Sequence, residues 1–134
     1  AHQRPIFITQ KDVRVLQLAI GAIATGIHIL CKKFGVSTED ISEVLLAGAS
    51  DHTLNYRSAC LLGMIPPVLA EKVKVIGNAV GVGAKTALLS QRAYRRAERI
   101  ASFVEYIELS ACPCFNELFT DYLYFPEHFS DRWQ

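Results

Sequence analysis

The sequence has no excess of charge of either sign. Its 134 residues carry 14 basic and 13 acidic side chains, which leaves a formal net charge of +1. A broad field of one sign is what attracts nucleic acid or an anionic membrane surface, so the composition favours neither as a partner. At this length we expect a single domain, residues 1–134, built around one core.

The sequence also lacks an uninterrupted hydrophobic run. Its longest apolar stretch, Ile20 to Cys31, is broken by Gly21, Thr25, Gly26 and His28. The stretch is shorter than the ~20 residues that a membrane-spanning helix needs. We therefore interpret it as a buried helix and expect no membrane partner.

Cysteine is scarce, and its spacing fits neither a disulfide framework nor a complete metal site. Cys31 and Cys60 fall in apolar helical patterns, where a free thiol acts as a small hydrophobic group. Cys112-Pro113-Cys114 is the one close pair, its spacing is tighter than that of zinc knuckles, and no second pair completes four ligands. We interpret it as a structural turn rather than a metal or redox site. Reduced thiols favour a cytoplasmic location.

A long helix is predicted near the start of the chain. Thr9 can accept hydrogen bonds from the first free amides, Asp12 adds negative charge to the first turn, and Gly35 can end the helix in a left-handed conformation. Apolar residues recur at intervals of three and four, which predicts one mostly buried stripe. The stripe comprises Val13, Leu16, Ile20, Ile23, Ile27 and Leu30.

Three residues inside this helix need an explanation. Gly21 and Gly26 each lower helix stability by about 1 kcal/mol relative to Ala, so we expect another backbone to approach closely at both. His28 lies in the same apolar run without a second metal ligand in view, and we interpret it as a core histidine without a functional role.

Strand and helix patterns alternate along the rest of the chain. We predict strands at Glu43 to Ala47, Val73 to Ile76 and Val104 to Leu109, and helices from Asn55 to Gly63, Ala79 to about Leu89, Gln91 to Phe103 and Phe115 to Tyr124. This alternation predicts an α/β domain with a small, largely parallel sheet whose strands are buried on both faces by helices. The arginines of the Gln91 to Phe103 helix are interpreted as a solvated face.

The candidate site lies where two predicted strands end. Ligands of parallel sheets gather at such ends, and we expect Gly48-Ala49-Ser50 and Gly77-Asn78-Ala79 to lie on the same edge. Neither loop is specific alone, because the first lacks P-loop spacing and the second lacks the GxGxxG arrangement. The neighbouring Asp51-His52 could form an acid–base pair, but adjacent loop residues rarely point the same way, and we interpret it as a solvated turn.

The order of several motifs resembles a known family. The motifs are "ITQKDVRVLQLAIGAIATGIHIL", "EVLLAGAS", "YRSACLLGMIPP", "VKVIGNAVGVGAKTALLS", "VEYIELS" and "FNELFTDYLYFP". Together they cover nearly the whole chain and are similar to the C-terminal region of the ATP-dependent reductive activators of corrinoid proteins. The resemblance implies an RNase H-like lobe of the acetate and sugar kinase, heat-shock cognate and actin superfamily.

The resemblance also implies a function in anaerobic methyl transfer. Such activators use ATP to help an iron–sulfur domain return cob(II)amide to cob(I)amide in a partner corrinoid protein. The cluster is expected only in a separate ferredoxin domain of the parent, because the cysteines here do not match a four-thiolate pattern. The superfamily's phosphate-binding hairpin is also not found, so we expect the isolated chain to be inactive without the parent's remaining lobe. The chain starts at Ala1 with neither an initiator Met nor a signal-peptide pattern, and we expect it to be a C-terminal fragment of a longer protein.

Carried over residue by residue, the resemblance implies a weakened ATP or ADP site. Gly48 matches the first glycine of the loop beside the adenosine, Ala49 stands where a second glycine is usual, and Ile20 replaces an expected lysine. The implied site residues are Gly48, Ala49, Ser50, Gly77, Asn78 and Ile20, with no catalytic residue and no metal ligand assigned. Two alternatives stay open: a catalytically silent interaction module of the same fold that docks a partner protein, and a lobe of another superfamily activase or kinase.

Overall fold

The computed structural model describes residues 6–48 and 54–126, which form a mixed α/β structure. In these two ranges the elements are α1 (Gln10–Phe34), β1 (Val44–Ala47), α2 (Tyr56–Leu61), a 3-10 helix (Pro67–Lys72), β2 (Val73–Gly77), α3 (Ala79–Leu89), α4 (Gln91–Phe103), a second 3-10 helix (Leu109–Ala111) and α5 (Phe115–Tyr122). The predicted bounds of the helices now called α3 and α4 are confirmed. The predicted mixed α/β class is confirmed as well.

The sheet consists of β1 and β2 in parallel. Val44 lies opposite Val73 and Ala47 lies opposite Gly77, with one irregularity in the register between Leu46 and Ala47. A small parallel sheet flanked by helices is what the alternation of elements predicted. Its two strands are joined through α2 and the first 3-10 helix, as a parallel connection requires.

The third predicted strand, Val104 to Leu109, is wrong. Residues 104–108 have no regular structure, and Leu109 begins the second 3-10 helix. Val104 is 65% exposed and Tyr106 is 81% exposed. Its β-branched and aromatic residues give this segment β-propensity, but a strand forms only where it pairs with another strand, and the sheet of the described ranges contains β1 and β2 alone.

Helix α1 begins and ends where the sequence predicts. The Thr9 hydroxyl accepts a hydrogen bond from the Asp12 backbone N–H, and the Asp12 carboxylate accepts one from the Thr9 backbone N–H at 2.8 Å. The hydrogen bond from the Thr9 hydroxyl, and to a smaller extent the one from the Thr9 backbone N–H, holds the pKa of Asp12 below its usual range. Gly35 ends the helix with φ +67°.

The buried side of α1 differs from the predicted stripe. Leu16, Ile23 and Leu30 are 38%, 45% and 41% exposed, so the expectation of a mostly buried helix is wrong. The buried residues are Ile20, Gly21, Ala24, Thr25, Gly26 and Ile29. Four of these six residues are small, which fits the close packing of α5 against this side, whereas Leu16, Ile23 and Leu30 are left partly exposed.

Side chains explain the two glycines of α1. A Cβ at Gly21 would lie 3.2 Å from Leu123 Cδ2 and 3.3 Å from Phe119 Cε2, and a Cβ at Gly26 would lie 3.3 Å from Leu109 Cδ1. Close approach is confirmed, but the neighbours are side chains and not the backbone that we expected. His28 takes part in the same contact with α5 through the Tyr122 side chain.

The core lies between α1, α2 and the segment that leads to β2. It contains the buried residues Ile20, Ala59, Cys60, Met64, Ile65 and Leu69. Val44 and Leu46 of β1 pack against this cluster, whereas Leu45 between them is 53% exposed. Successive strand residues point to opposite faces, so the described residues cover one face of β1 and leave Leu45 on the other face about half exposed. The expectation that helices bury both faces is therefore wrong.

Helix α1 is also long and apolar enough to cross a membrane, and it is the one such helix in the described ranges. In the most apolar 18-residue stretch of α1, 33% is buried inside the domain. Core helices of soluble proteins meet the same criteria of length and composition. This feature alone is weak evidence for a membrane partner.

Candidate functional site

The candidate site is built from the carboxyl ends of β1 and β2. The backbone N–H of Gly48 donates a hydrogen bond to the carbonyl of Gly77, with N and O 2.9 Å apart. This bond joins the two strands at the point where both end. Helix α3 begins at Ala79, two residues after Gly77. Gly48, Gly77 and Asn78 therefore lie at one edge, as predicted. Ala49 and Ser50, like Asp51 and His52, lie outside the described residues.

Two glycines at this edge have left-handed backbone conformations. Gly48 has φ +133° and Gly77 has φ +63°, a region in which side chains are rare. A Cβ at Gly48 would meet nothing within 4 Å, so among the described residues the backbone angle, and not crowding, requires glycine there. As far as the described residues go, the space beside Gly48 is open to a ligand or to another part of the protein.

Asn78 caps α3. Its side-chain Oδ1 accepts a hydrogen bond from the Gly81 backbone N–H at 2.8 Å, which satisfies one of the free amides of the first turn. A Cβ at Gly81 would lie 2.7 Å from Asn78 Nδ2. Gly81 therefore belongs with Asn78 at this edge, a residue that the sequence prediction missed. The signal in the sequence was a capping residue three positions before a glycine.

Ile20 is the predicted site residue that the structure does not bring to this edge. Its side chain is 0% exposed and lies in the core with residues of α2, Ala59 and Cys60. A lysine at this position would have its ammonium in that core. That residue 20 lies beside a nucleotide stays a prediction. The structure shows Ile20 as a residue of the hydrophobic core.

The described part of the edge has no acid, base or nucleophile of its own. Gly48, Gly77, Asn78 and Gly81 offer backbone groups and one amide side chain, which can bind and orient a ligand but cannot transfer a proton. Within residues 6–48 and 54–126, no group of three or more His, Cys, Asp or Glu side chains could hold a metal ion. The chemistry that this edge supports is binding.

The other two features that could have carried chemistry have structural roles. Cys112-Pro113-Cys114 forms the predicted turn, in which the Phe115 N–H donates to the Cys112 carbonyl at 2.9 Å, and both thiols are free. His28 Nδ1 lies 3.1 Å from the Tyr122 hydroxyl, so this half-buried histidine has a hydrogen-bond partner on α5. Neither feature has a hydrogen bond to Gly48, Gly77 or Asn78, the described residues of the candidate site.

Three similarities to known proteins bear on this site. A family model described as the C-terminal domain of RACo, the ASKHA domain, matches residues 1–134. The corrinoid activation enzyme RamQ of Eubacterium limosum is 36% identical over 116 residues, which cover 87% of this chain and 20% of RamQ. A solved structure, titled a reductive activator for corrinoid,iron-sulfur protein, superposes with a TM-score of 0.80 at 31% identity.

The solved structure is matched over 89% of this chain and 19% of its own length. The chain therefore spans about a fifth of the length of both relatives. The family model covers every residue of the chain, and the fold of a solved corrinoid-protein activator agrees with it. The chain belongs to the family of C-terminal ASKHA domains of corrinoid reductive activators.

Proposed function

We propose that this chain is one lobe of a longer protein that uses ATP to reduce cob(II)amide to cob(I)amide in a corrinoid protein. The observation that supports the proposal most strongly is the family match over all 134 residues. The relatives are themselves named a corrinoid activation enzyme and a reductive activator for a corrinoid,iron-sulfur protein. The lobe's task in this proposal is binding, because the described edge holds backbone groups and no catalytic side chain.

The physical need for ATP follows from the reduction potential of the corrinoid. The cob(II)/cob(I) couple lies very low, so electron transfer from an ordinary iron–sulfur cluster runs uphill. When bound, ATP supplies binding and hydrolysis free energy that can favour one conformation of the activator over another. A partner that binds one conformation more tightly shifts the equilibrium by its difference in binding free energy.

The residues of this chain would contribute the adenosine side of the site. The left-handed Gly48 backbone, with no described atom within 4 Å of where its Cβ would be, fits a flat ligand that approaches the main chain closely. Gly77 and Asn78 fix the neighbouring strand end and the start of α3. Phosphate contacts and the iron–sulfur cluster belong, in this proposal, to the parent's other lobe and ferredoxin domain.

The alternative function is an interaction module that keeps the fold but binds nucleotide poorly. Two observations favour it. Ala49 follows Gly48 where the family usually has a second glycine, and Ile20 is a core residue rather than a cation. A methyl group at residue 49 would obstruct close approach of the backbone to a ligand. Under this alternative the lobe would dock a partner protein without a nucleotide.

Calorimetric titration of ADP into the full-length protein separates the two functions. The activator proposal predicts saturable binding that weakens by about tenfold or more in Gly48→Ala, a loss of roughly 1.4 kcal/mol or more. Gly83→Ala is the matched control, because a Cβ there also meets nothing within 4 Å but its φ is not positive. Ala49→Gly should strengthen binding. Absence of ADP binding in both the natural sequence and Ala49→Gly would support the silent module.

A further inference from the structure

A groove of about 720 Å³ lies along α4, and its described lining includes no residue of the candidate nucleotide edge. Its described lining residues are Gln91, Arg92, Arg95, Glu98, Arg99 and Ser102. Intervals of three and four residues bring these side chains to one face of the helix. Residue 93, the half-buried position of α4, lies on the opposite side. The described lining residues of the groove therefore lie on the exposed side of α4.

The groove carries an excess of positive charge. Arg92, Arg95 and Arg99 contribute three guanidinium groups, and Glu98 contributes one carboxylate. The ion pairs found among the described residues join Lys33 to Glu105 and Lys74 to Glu43, so within those residues the three arginines have no carboxylate partner. Guanidinium groups offer a planar set of donors that matches a carboxylate or phosphate with two hydrogen bonds.

The surrounding charge favours an acidic protein over nucleic acid. The whole chain has a net charge of +1, so the positive charge of this groove is local and not part of a broad basic surface. Arg92 to Arg99 span about 10 Å along the helix axis, a length that three side chains of a partner helix can match. Glu98 in the same groove would repel a phosphate backbone, whereas it can accept a hydrogen bond from a lysine or arginine of a protein partner.

We propose that this face of α4 binds an acidic helix of a partner protein. The complementary helix would present carboxylates at positions i, i+3 and i+7, the same intervals that separate Arg92, Arg95 and Arg99. Each carboxylate would pair with one guanidinium, and a basic residue of the partner would meet Glu98. The proposal does not depend on nucleotide binding, because it uses residues of α4 alone.

The test measures binding of a labelled synthetic helical peptide by fluorescence anisotropy. The peptide has Glu at i, i+3 and i+7, and the comparison peptide has Gln at these positions. The 134-residue chain should bind the Glu peptide more tightly, and affinity should fall as salt rises. Arg95→Gln and Arg99→Gln should each weaken binding by about fivefold, in line with exposed charge pairs.

Arg96→Gln is the matched control, because it removes the same charge from the same helix outside the groove lining. Arg96→Gln should change the affinity for the Glu peptide by less than about twofold. Arg95→Lys keeps the charge and should lose less affinity than Arg95→Gln. Circular dichroism checks that each variant is folded. The proposal is overturned by equal affinity for the two peptides, by no binding of either, or by equal losses in Arg96→Gln and Arg95→Gln. If a single-stranded oligonucleotide bound more tightly than the Glu peptide, with the same dependence on Arg95 and Arg99, the proposal would be overturned in favour of nucleic acid.

Discussion

Asn78 and Gly81 depend on each other at the start of α3. The Asn78 side chain accepts a hydrogen bond from the Gly81 N–H at 2.8 Å, and the nearest atom to a Cβ at Gly81 would be Asn78 Nδ2 at 2.7 Å. A glycine at residue 81 leaves room for the cap, and the cap occupies an amide that a phosphate could otherwise use. Part of this glycine-rich pattern therefore serves the helix and not a ligand.

The first prediction compares two glycines of α3. Gly83→Ala should raise the free energy of unfolding by up to about 1 kcal/mol, because Ala is the better helix former and a Cβ there meets nothing within 4 Å. Gly81→Ala should gain much less, since its Cβ displaces Asn78 and removes a cap worth about 1 kcal/mol. Urea unfolding of both variants measures the difference.

The same comparison in an Asn78→Ala background provides the control. Without the Asn78 side chain the two glycine substitutions should have similar effects, because nothing remains at residue 78 for the new methyl group to displace. If Gly81→Ala and Gly83→Ala stabilise the natural sequence equally, the cap has no energetic role.

The second prediction concerns the core around Ile20. Ile20→Lys should lower the free energy of unfolding by several kcal/mol, because it buries an ammonium among apolar residues without a partner. Ile23→Lys, on the same helix but 45% exposed, is the matched control and should cost less than about 1 kcal/mol. Thermal unfolding followed by circular dichroism compares them. Equal losses would show that Ile20 is not in the core that we describe.

The third prediction is a pH dependence at the start of α1. Hydrogen bonds from Thr9 lower the pKa of Asp12 below its unfolded value. This stabilisation is complete above the unfolded pKa and is lost as the pH falls through the lower pKa of the folded state. Thr9→Ala should therefore destabilise the protein at about pH 7, and the difference should shrink toward about pH 2.5. Urea midpoints at both pH values measure it, and a difference independent of pH would contradict the assignment.

The sequence predicted local structure better than contacts between distant elements. Thr9 and Gly35 mark the ends of α1 through short-range hydrogen bonds and backbone preference, which a few neighbouring residues determine. The neighbour of Gly21 is α5, about a hundred residues away, and periodicity could not say whether backbone or side chains would meet it. The wrong strand at Val104 to Leu109 has the same cause, because strand pairing is also non-local.

The candidate site could be predicted in position but not in detail. The glycine turns after two apolar strands indicated the edge where Gly48 and Gly77 meet. The assignment of Ile20 came from an expected lysine, and neither residue type nor spacing showed that α2 covers this position. Gly81 was visible in the sequence as the third residue after a capping Asn, but its crowding by that side chain needed coordinates.

The fourth prediction is that the isolated 134-residue chain does not hydrolyse ATP. The described part of the site edge offers backbone groups and the Asn78 amide, with no base to activate water, and we found no phosphate-binding hairpin in the sequence. Phosphate release should equal that of a blank without protein. The opposite result would be a phosphate-releasing activity above the blank that co-purifies with the chain. If Gly48→Ala abolished this activity and Gly83→Ala retained it, this lobe alone would be an ATPase.

The fifth prediction, and the most direct test of the proposed function, is the reduction of a cob(II) corrinoid protein by the full-length protein. The full-length protein is mixed with its corrinoid partner and an electron donor, with and without ATP, and formation of cob(I)amide is followed by its absorbance spectrum. A version lacking residues 1–134 of this chain is measured in parallel. Our account predicts cob(I)amide only when ATP and this lobe are both present. Equal formation of cob(I)amide without ATP, or without this lobe, would contradict it.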